Sequence, residues 1–131
     1  MNNPKIKITK SELLSDNWYI LKKITYEYQS QNNEVQTHVR EIYDRGDGAT
    51  ILLYNKSNKS VILTRQLRMP TYLNENKSGM MIETCAGMLD KDHPEDCIKR
   101  EVTEETGYEI DNVKKIFEAY TSPGAVTEIL H

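Results

Sequence analysis

Three glutamates crowd one short stretch of this chain, Glu101, Glu104 and Glu105, in the run Cys97-Ile-Lys-Arg-Glu-Val-Thr-Glu-Glu. At about 100° per residue, with Cys97 at zero, a helix carries Glu101 to about 40°, Glu104 to about −20° and Glu105 to about 80°. The carboxylates then share one stripe, roughly 100° wide, beside the apolar positions Cys97, Ile98 and Val102. Like charges at i,i+3 and i,i+4 each cost about 0.2–0.5 kcal/mol, and more where part of the stripe leaves water. Arg100 reaches Glu104 and Lys99 reaches Thr103, but neither neutralises the whole cluster. A multivalent cation would, and oxygen-only ligands favour Mg2+ or Mn2+ over zinc or copper. The plain alternative is a solvated acidic face, which is what most charge runs are.

The segment that must position these acids is the clearest helix of the sequence. Asp92 or His93 caps it, Pro94 suits the first helical position, and Glu95 and Asp96 complement the positive end of the dipole. Gly107 is placed to end it. Ahead of it, Met81-Ile-Glu-Thr-Cys85 reads as a short strand running into Ala86-Gly87. Residues 49–54 are nearly all apolar, as in a central strand covered on both faces. Residues 55–60 make a turn, residues 61–67 pair back, and residues 69–80 form an irregular surface loop. Residues 113–120 read as another strand, and residues 125–131 begin one more after Ser122-Pro123-Gly124.

Further upstream, residues 18–28 place Trp18, Ile20, Ile24, Tyr26 and Tyr28 on one side at period two, a strand with one packed face. A polar stretch with Asn32-Asn33 turns the chain, and residues 35–43 return as the second arm of a hairpin. This hairpin has few large aliphatics and must lean on something else, as a small subdomain or an oligomer contact. Strands, one long helix and more strands make an α+β protein. The expected division is an N-terminal antiparallel β part over residues 1–46, suited to dimerisation, and a second part over residues 47–131. The last residues, Ile129-Leu130-His131, have the grain of a core strand without a closing polar tail, so either this strand is an edge or the domain is cut short.

The chain has 131 residues and a net charge of −3, which gives no excess positive charge to drive binding to nucleic acid. No apolar run approaches the roughly 18 residues that span a bilayer, and the start carries no secretory pattern. Cys85 and Cys97 have neither zinc spacing nor the density of a disulfide scaffold. They read as small buried residues. His38, His93 and His131 are scattered and receive no catalytic role. The composition therefore points to a cytoplasmic protein with no membrane and no nucleic-acid partner.

The stretch from Gly87 to Tyr108 resembles the Nudix box, G-x5-E-x7-R-E-U-x-E-E-x-G-U, with U a bulky apolar residue. Arg100-Glu101-Val102-Thr103-Glu104-Glu105-Thr106-Gly107-Tyr108 follows its second half throughout. The first half is one residue short, and His93 or Asp92 stands where the early Glu belongs. Ser15-Asp16-Asn17-Trp18, Arg40-Glu41-Ile42-Tyr43-Asp44-Arg45-Gly46, Arg65-Gln66-Leu67-Arg68 and Ser122-Pro123-Gly124 look like the Nudix branch that cleaves ADP-ribose and nucleotide-sugars. The Asp-Asn-aromatic start and the shortened box look most like members acting on GDP-mannose. Such members run on with further strands, a loop carrying another acid and a final helix, so the resemblance implies a Nudix domain, residues 47–131, incomplete at its C-terminus.

The resemblance also implies roles. Glu101 and Glu105 would bind Mg2+ with the backbone carbonyl of Ala86, Mn2+ being possible, and Glu104 and Glu105 would be the catalytic acids, Glu104 as neighbouring ligand or water-orienting group. Metal bridging two phosphates neutralises developing charge and lowers the pKa of a water that attacks phosphorus. Gly87 would let the backbone approach the ligand, with Met88 alongside. Arg68 would grip the diphosphate or terminal sugar with its guanidinium fork; otherwise it is a strand-end surface arginine. Trp18 would stack on the base; otherwise it packs the core or the hairpin. Val39, Arg40 and Glu41 would touch the nucleotide across a homodimer formed through the hairpin, and Glu128 would contact substrate. The implied reaction is hydrolysis of GDP-mannose to GMP and mannose 1-phosphate, with ADP-ribose as the alternative substrate. An alternative of another class is a non-catalytic fragment that binds nucleotide or metal, or only dimerises.

Overall fold

The computed structural model describes residues 3–131, arranged as an α+β chain in two compact units. The first takes in the residues up to Gly46 together with Tyr120–Ile129, and the second holds Asp47–Ala119 with Leu130 and His131. Residues 120–129, which the sequence division puts with the second part, thus cluster with the first. Their link is backbone pairing: Tyr43 N–H donates to the Ala125 carbonyl at 2.7 Å and Thr127 N–H to the Tyr43 carbonyl at 3.1 Å.

In the first unit, β1 (Lys5–Ser15), β2 (Ile20–Gln29) and β3 (Val35–Asp44) form an antiparallel meander. The expected hairpin is β2–β3, closed by Ser30 to Glu34, where Asn33 takes a φ of 63° that an asparagine tolerates. The strand β1 is an addition to the sequence reading. Ile6 lies opposite Tyr28 and Ile8 opposite Tyr26; a bulge at Thr9, whose hydroxyl donates to the Thr25 carbonyl at 3.1 Å, then shifts the register. Residues directly opposite share a face, so Ile6, Ile8, Ile24, Tyr26, Tyr28 and His38 lie on one side. The His38 ring stacks on Tyr26 at 5.5 Å and meets Tyr28 edge-on at 5.9 Å. The other side carries the pairs Lys7–Glu27 and Lys10–Glu12, too exposed to contribute much. Trp18 departs from expectation: the strand begins at Ile20, and the indole, in the preceding turn, is 84% exposed.

In the second unit, β4 (Gly48–Ile51) is followed by β5 (Leu53–Asn55), β6 (Ser60–Ile62), β7 (Thr64–Leu67), α1 (Met69–Leu73), β8 (Met80–Glu83), β9 (Cys85–Met88) and α2 (Pro94–Thr106). Short β10 (Ala119–Tyr120) and β11 (Ile129–Leu130) close the order. The pairs are β4 with β9, β5 with β6 and β7 with β8, all antiparallel, while Leu130 lies parallel beside Gly48. The helix α2 packs on β9 and β4. Leu53, Cys85 and Val102 form the buried cluster, flanked by Ile51, Ile62 and Ile110.

Several expectations are corrected here. The apolar run 49–54 is no continuous central strand; it breaks at Leu52, and Leu52 and Tyr54 are exposed while Ala49 and Leu53 are buried. The run 61–67 breaks at Leu63 because it serves two partners, β5 before the break and β8 after it. The loop 69–80 contains α1, with Pro70 in its first turn. Of residues 113–120 only Ala119 and Tyr120 are strand, and Ile116 and Phe117 are exposed. Residues 125–131 hold only the two-residue β11. Among the described residues, no helix is long and apolar enough to cross a membrane.

Candidate active site

The helix that carries the glutamates is built at both ends as its sequence dictates. His93 is extended and its Nδ1 accepts from the Glu95 N–H at 3.4 Å, while Gly107 takes a left-handed φ of 73° and its N–H donates to the Thr103 carbonyl at 3.0 Å. Lys99, expected near Thr103, pairs with Glu95 at 2.8 Å, one turn back. Cys97, Ile98 and Val102 are buried, so the acids beside them are drawn to the margin of the packed face.

At that margin α2 is laced to β9. The Cys97 thiol donates to the Met88 carbonyl at 3.1 Å. One turn on, Glu101 lies against Gly87 so closely that a Cβ there would run into its Cγ and Cδ. One turn further, Glu105 meets the thiol of Cys85. Burial, together with the hydrogen bond and charge of Glu105 and the charge of Glu101, pushes that thiol up to about 12, so it remains a protonated donor. The spacings agree: four helical residues rise about 6 Å and two strand residues about 6.7 Å. Glu101 and Glu105 therefore reach β9 on either side of Ala86.

Arg100 changes the electrostatic expectation. Its guanidinium lies 2.8 Å from Glu101, 3.6 Å from Glu104 and 3.5 Å from Asp92. Standing beside Glu101 and one turn before Glu104, it engages two of the three acids from within the chain. Glu101 is largely covered, whereas Glu104 is more than half exposed. Among the described residues, the donors to Glu105 are neutral, Cys85 and the Nε2 of Gln66. Among the described residues no three His, Cys, Asp or Glu side chains converge on a common ion position. The two carboxylates and the Ala86 carbonyl are nonetheless oxygen donors, the set that suits Mg2+ or Mn2+, the Cys85 thiol staying protonated, and the bare Cα of Gly87 leaves room for the Glu101 carboxylate.

Arg68, at the end of β7, pairs with Glu83 across the β7–β8 ribbon at 2.8 Å and is nearly half exposed. A groove of about 440 Å3 runs beside Glu105, lined among others by Ile62, Thr64, Gln66 and Tyr108.

The remaining candidates belong to the first unit. Trp18 meets Tyr19 edge-on at 6.3 Å, Tyr19 meets Tyr43 at 5.8 Å, and the Arg45 guanidinium sits 5.6 Å from the Tyr19 ring. Beyond its contact with Tyr19 the indole is open to solvent. Val39, Arg40 and Glu41 are exposed on β3, but alternation puts Arg40 on the face opposite the other two. Glu128, expected to touch substrate, is buried; it accepts from the Thr121 hydroxyl at 2.9 Å and faces Arg45 at 3.4 Å. The sequence reading assigns no role to Gln66, and it takes Cys85 only as a buried residue. Their contacts with Glu105 depend on tertiary register, which no local pattern encodes.

Residues 44–130 match the NUDIX domain family, and residues 5–43 match the GDP-mannose pyrophosphatase NudK N-terminal domain. The chain is 58% identical over 127 residues to a GDP-mannose pyrophosphatase of Yersinia enterocolitica, covering 97% of this chain and 66% of that protein. It is 56% identical over 131 residues to one of Pectobacterium atrosepticum, covering 100% of this chain and 67% of the relative. The chain thus spans about two thirds of the length of the curated relatives it matches. A solved structure titled "Crystal structure of ADP compounds hydrolase" superposes with a TM-score of 0.72 at 14% identity, over 99% of this chain and 65% of that one, a likeness of fold. With the box of residues 87–108 set on β9 and α2 as described, the chain belongs to the Nudix family.

Proposed function

We propose that this chain hydrolyses the diphosphate bond of a nucleoside diphosphate sugar, splitting GDP-mannose and water into GMP and mannose 1-phosphate. The observation that carries this reading is the placement of Glu101 and Glu105, one helical turn apart, on either side of Ala86, with Glu101 seated on the bare Gly87 of β9. The substrate class is supported by the similarity to GDP-mannose pyrophosphatases along nearly the whole chain.

Glu101, Glu105 and the Ala86 carbonyl would hold the divalent cation, Mg2+ by preference. Bound there, the ion supplies charge neutralisation on the diphosphate and activation of water. The protein's part is positioning: α2 is fixed at both ends, and its contacts to β9 set the two carboxylates without further ordering at the moment of reaction. Glu104, exposed and loosely paired, is free to orient a water. Arg68 would bind the anionic diphosphate with guanidinium donors not engaged by Glu83, and Trp18 presents an open indole face for a base. Met88 and Glu128 keep the substrate roles that the resemblance implies, Glu128 after its pairing with Arg45 gives way.

A second copy of the chain would dock through β1–β3, where Ile6, Ile8 and Leu13 are more than half exposed, and Val39, Arg40 and Glu41 keep the contact with the partner's nucleotide that the resemblance implies. Two free buried cysteines fit a reducing, cytoplasmic setting.

The test is product release from GDP-mannose and from ADP-ribose, with and without Mg2+, beside sedimentation analysis. GMP release that needs metal and exceeds AMP release upholds the reading. Preference for ADP-ribose replaces the substrate, and nucleotide binding without turnover leaves a binding module.

A further inference from the structure

Gln66 sits in β7, half-buried, in a register fixed by Thr64 opposite Glu83 and Gln66 opposite Met81. Its Nε2 donates to Glu105 Oε1 and to Thr64 Oγ1 at 3.5 Å, and Thr64 Oγ1 donates to the Glu83 carbonyl at 3.4 Å. The polarity of this chain is forced at both ends. A carboxylate only accepts, so the amide nitrogen must face Glu105. The Glu83 carbonyl also only accepts, so the Thr64 proton goes there and its lone pair is left for Gln66. Two long hydrogen bonds thus connect a backbone carbonyl of the β7–β8 ribbon to Gln66, and Gln66 contacts the glutamate on α2 directly.

The nature of the donor matters as much as its position. Glu101 is held by the Arg100 guanidinium and Glu104 is paired loosely with it, so the charge of each is partly offset. Gln66 is neutral: it fixes a carboxylate oxygen while leaving the full negative charge to attract a cation. Gln66 and Glu105 also share the wall of the open groove, so the carboxylate is reachable from solvent. We propose that Gln66 is a positioning residue, acting through Glu105 to set the affinity of this site for a divalent metal; the proposal rests on the reading of Glu105 as a metal ligand.

The test titrates Mn2+ into the 131-residue chain and follows free ion by electron paramagnetic resonance, with the metal-free melting temperature measured in parallel. Gln66→Met keeps the volume and removes the donors. Loss of such an outer hydrogen bond weakens metal binding about tenfold, and that weakening with an unchanged metal-free melting temperature is the expected result. Thr64→Val, which keeps the strand-favouring branch, is expected to weaken binding in the same direction by less, and it carries the test should Gln66→Met not fold. Unchanged Mn2+ affinity in the folded variants overturns the role of Gln66 alone, as does a loss of affinity matched by a loss of metal-free stability. Failure of the unmodified chain to bind Mn2+ removes the metal-ligand reading and the proposal with it.

Discussion

Two amphipathic surfaces in this chain meet different fates. On α2, the apolar side made by Cys97, Ile98 and Val102 is buried against strands of its own unit, and the acids at its margin are drawn into contact with β9. On the β1–β3 meander, a side rich in apolar residues but interrupted by Lys22 and Arg40 is left more than half open at Ile6 and Ile8. A pattern of alternation or of helical period states that a face wants covering, not what will cover it. Where the cover is local, as for α2, packing turns a repulsive row of carboxylates into a positioned set. Where it is not, the face remains available to another copy.

Substitutions can break or sharpen this contrast. The largest effect is expected from Glu105→Gln, which removes the charge proposed to hold the metal while keeping the shape. Turnover of GDP-mannose should fall on the order of 10²–10³, with the melting temperature at least maintained because a repelling charge is gone. Outright unfolding would make the residue structural. Val102→Ala removes two buried methyl groups from a fully covered position and should cost about 2 kcal/mol in denaturant unfolding.

The matching truncation on the open face, Ile8→Ala, should change stability by less than about 0.5 kcal/mol when the protein is dilute. A cost equal to that of Val102→Ala would mean the face is covered in solution, which concentration-dependent melting would reveal. Smallest among the helix changes, His93→Ala removes a long capping hydrogen bond and should cost about 0.5 kcal/mol.

The parts legible in the sequence are those governed by near neighbours. Pro94 and Gly107 bracket α2 because one pre-sets φ and the other accepts a left-handed conformation. Asn32-Asn33 announces the β2–β3 turn for a similar reason. The strand β1 escaped because lysine and isoleucine alternate there without a strong apolar run, and its partner lies across a turn that carries no glycine or proline. Residues 113–118 show the converse: a strand-like pattern with no ladder to join. The breaks at Leu52 and Leu63 come from changes of partner, a tertiary matter.

At the site, the glutamates, Arg100 and Gly87 stood out through spacing. The contacts of Gln66 and Cys85 with Glu105 did not, because they link residues 39 and 20 positions apart in the chain.

Trp18 is the sole tryptophan and lies in the first unit, whereas α1 and α2 both belong to the second. Because that indole already stands in water, its emission changes little when the chain melts and is left to report a ring laid against it, while the ellipticity of the helices follows the second unit.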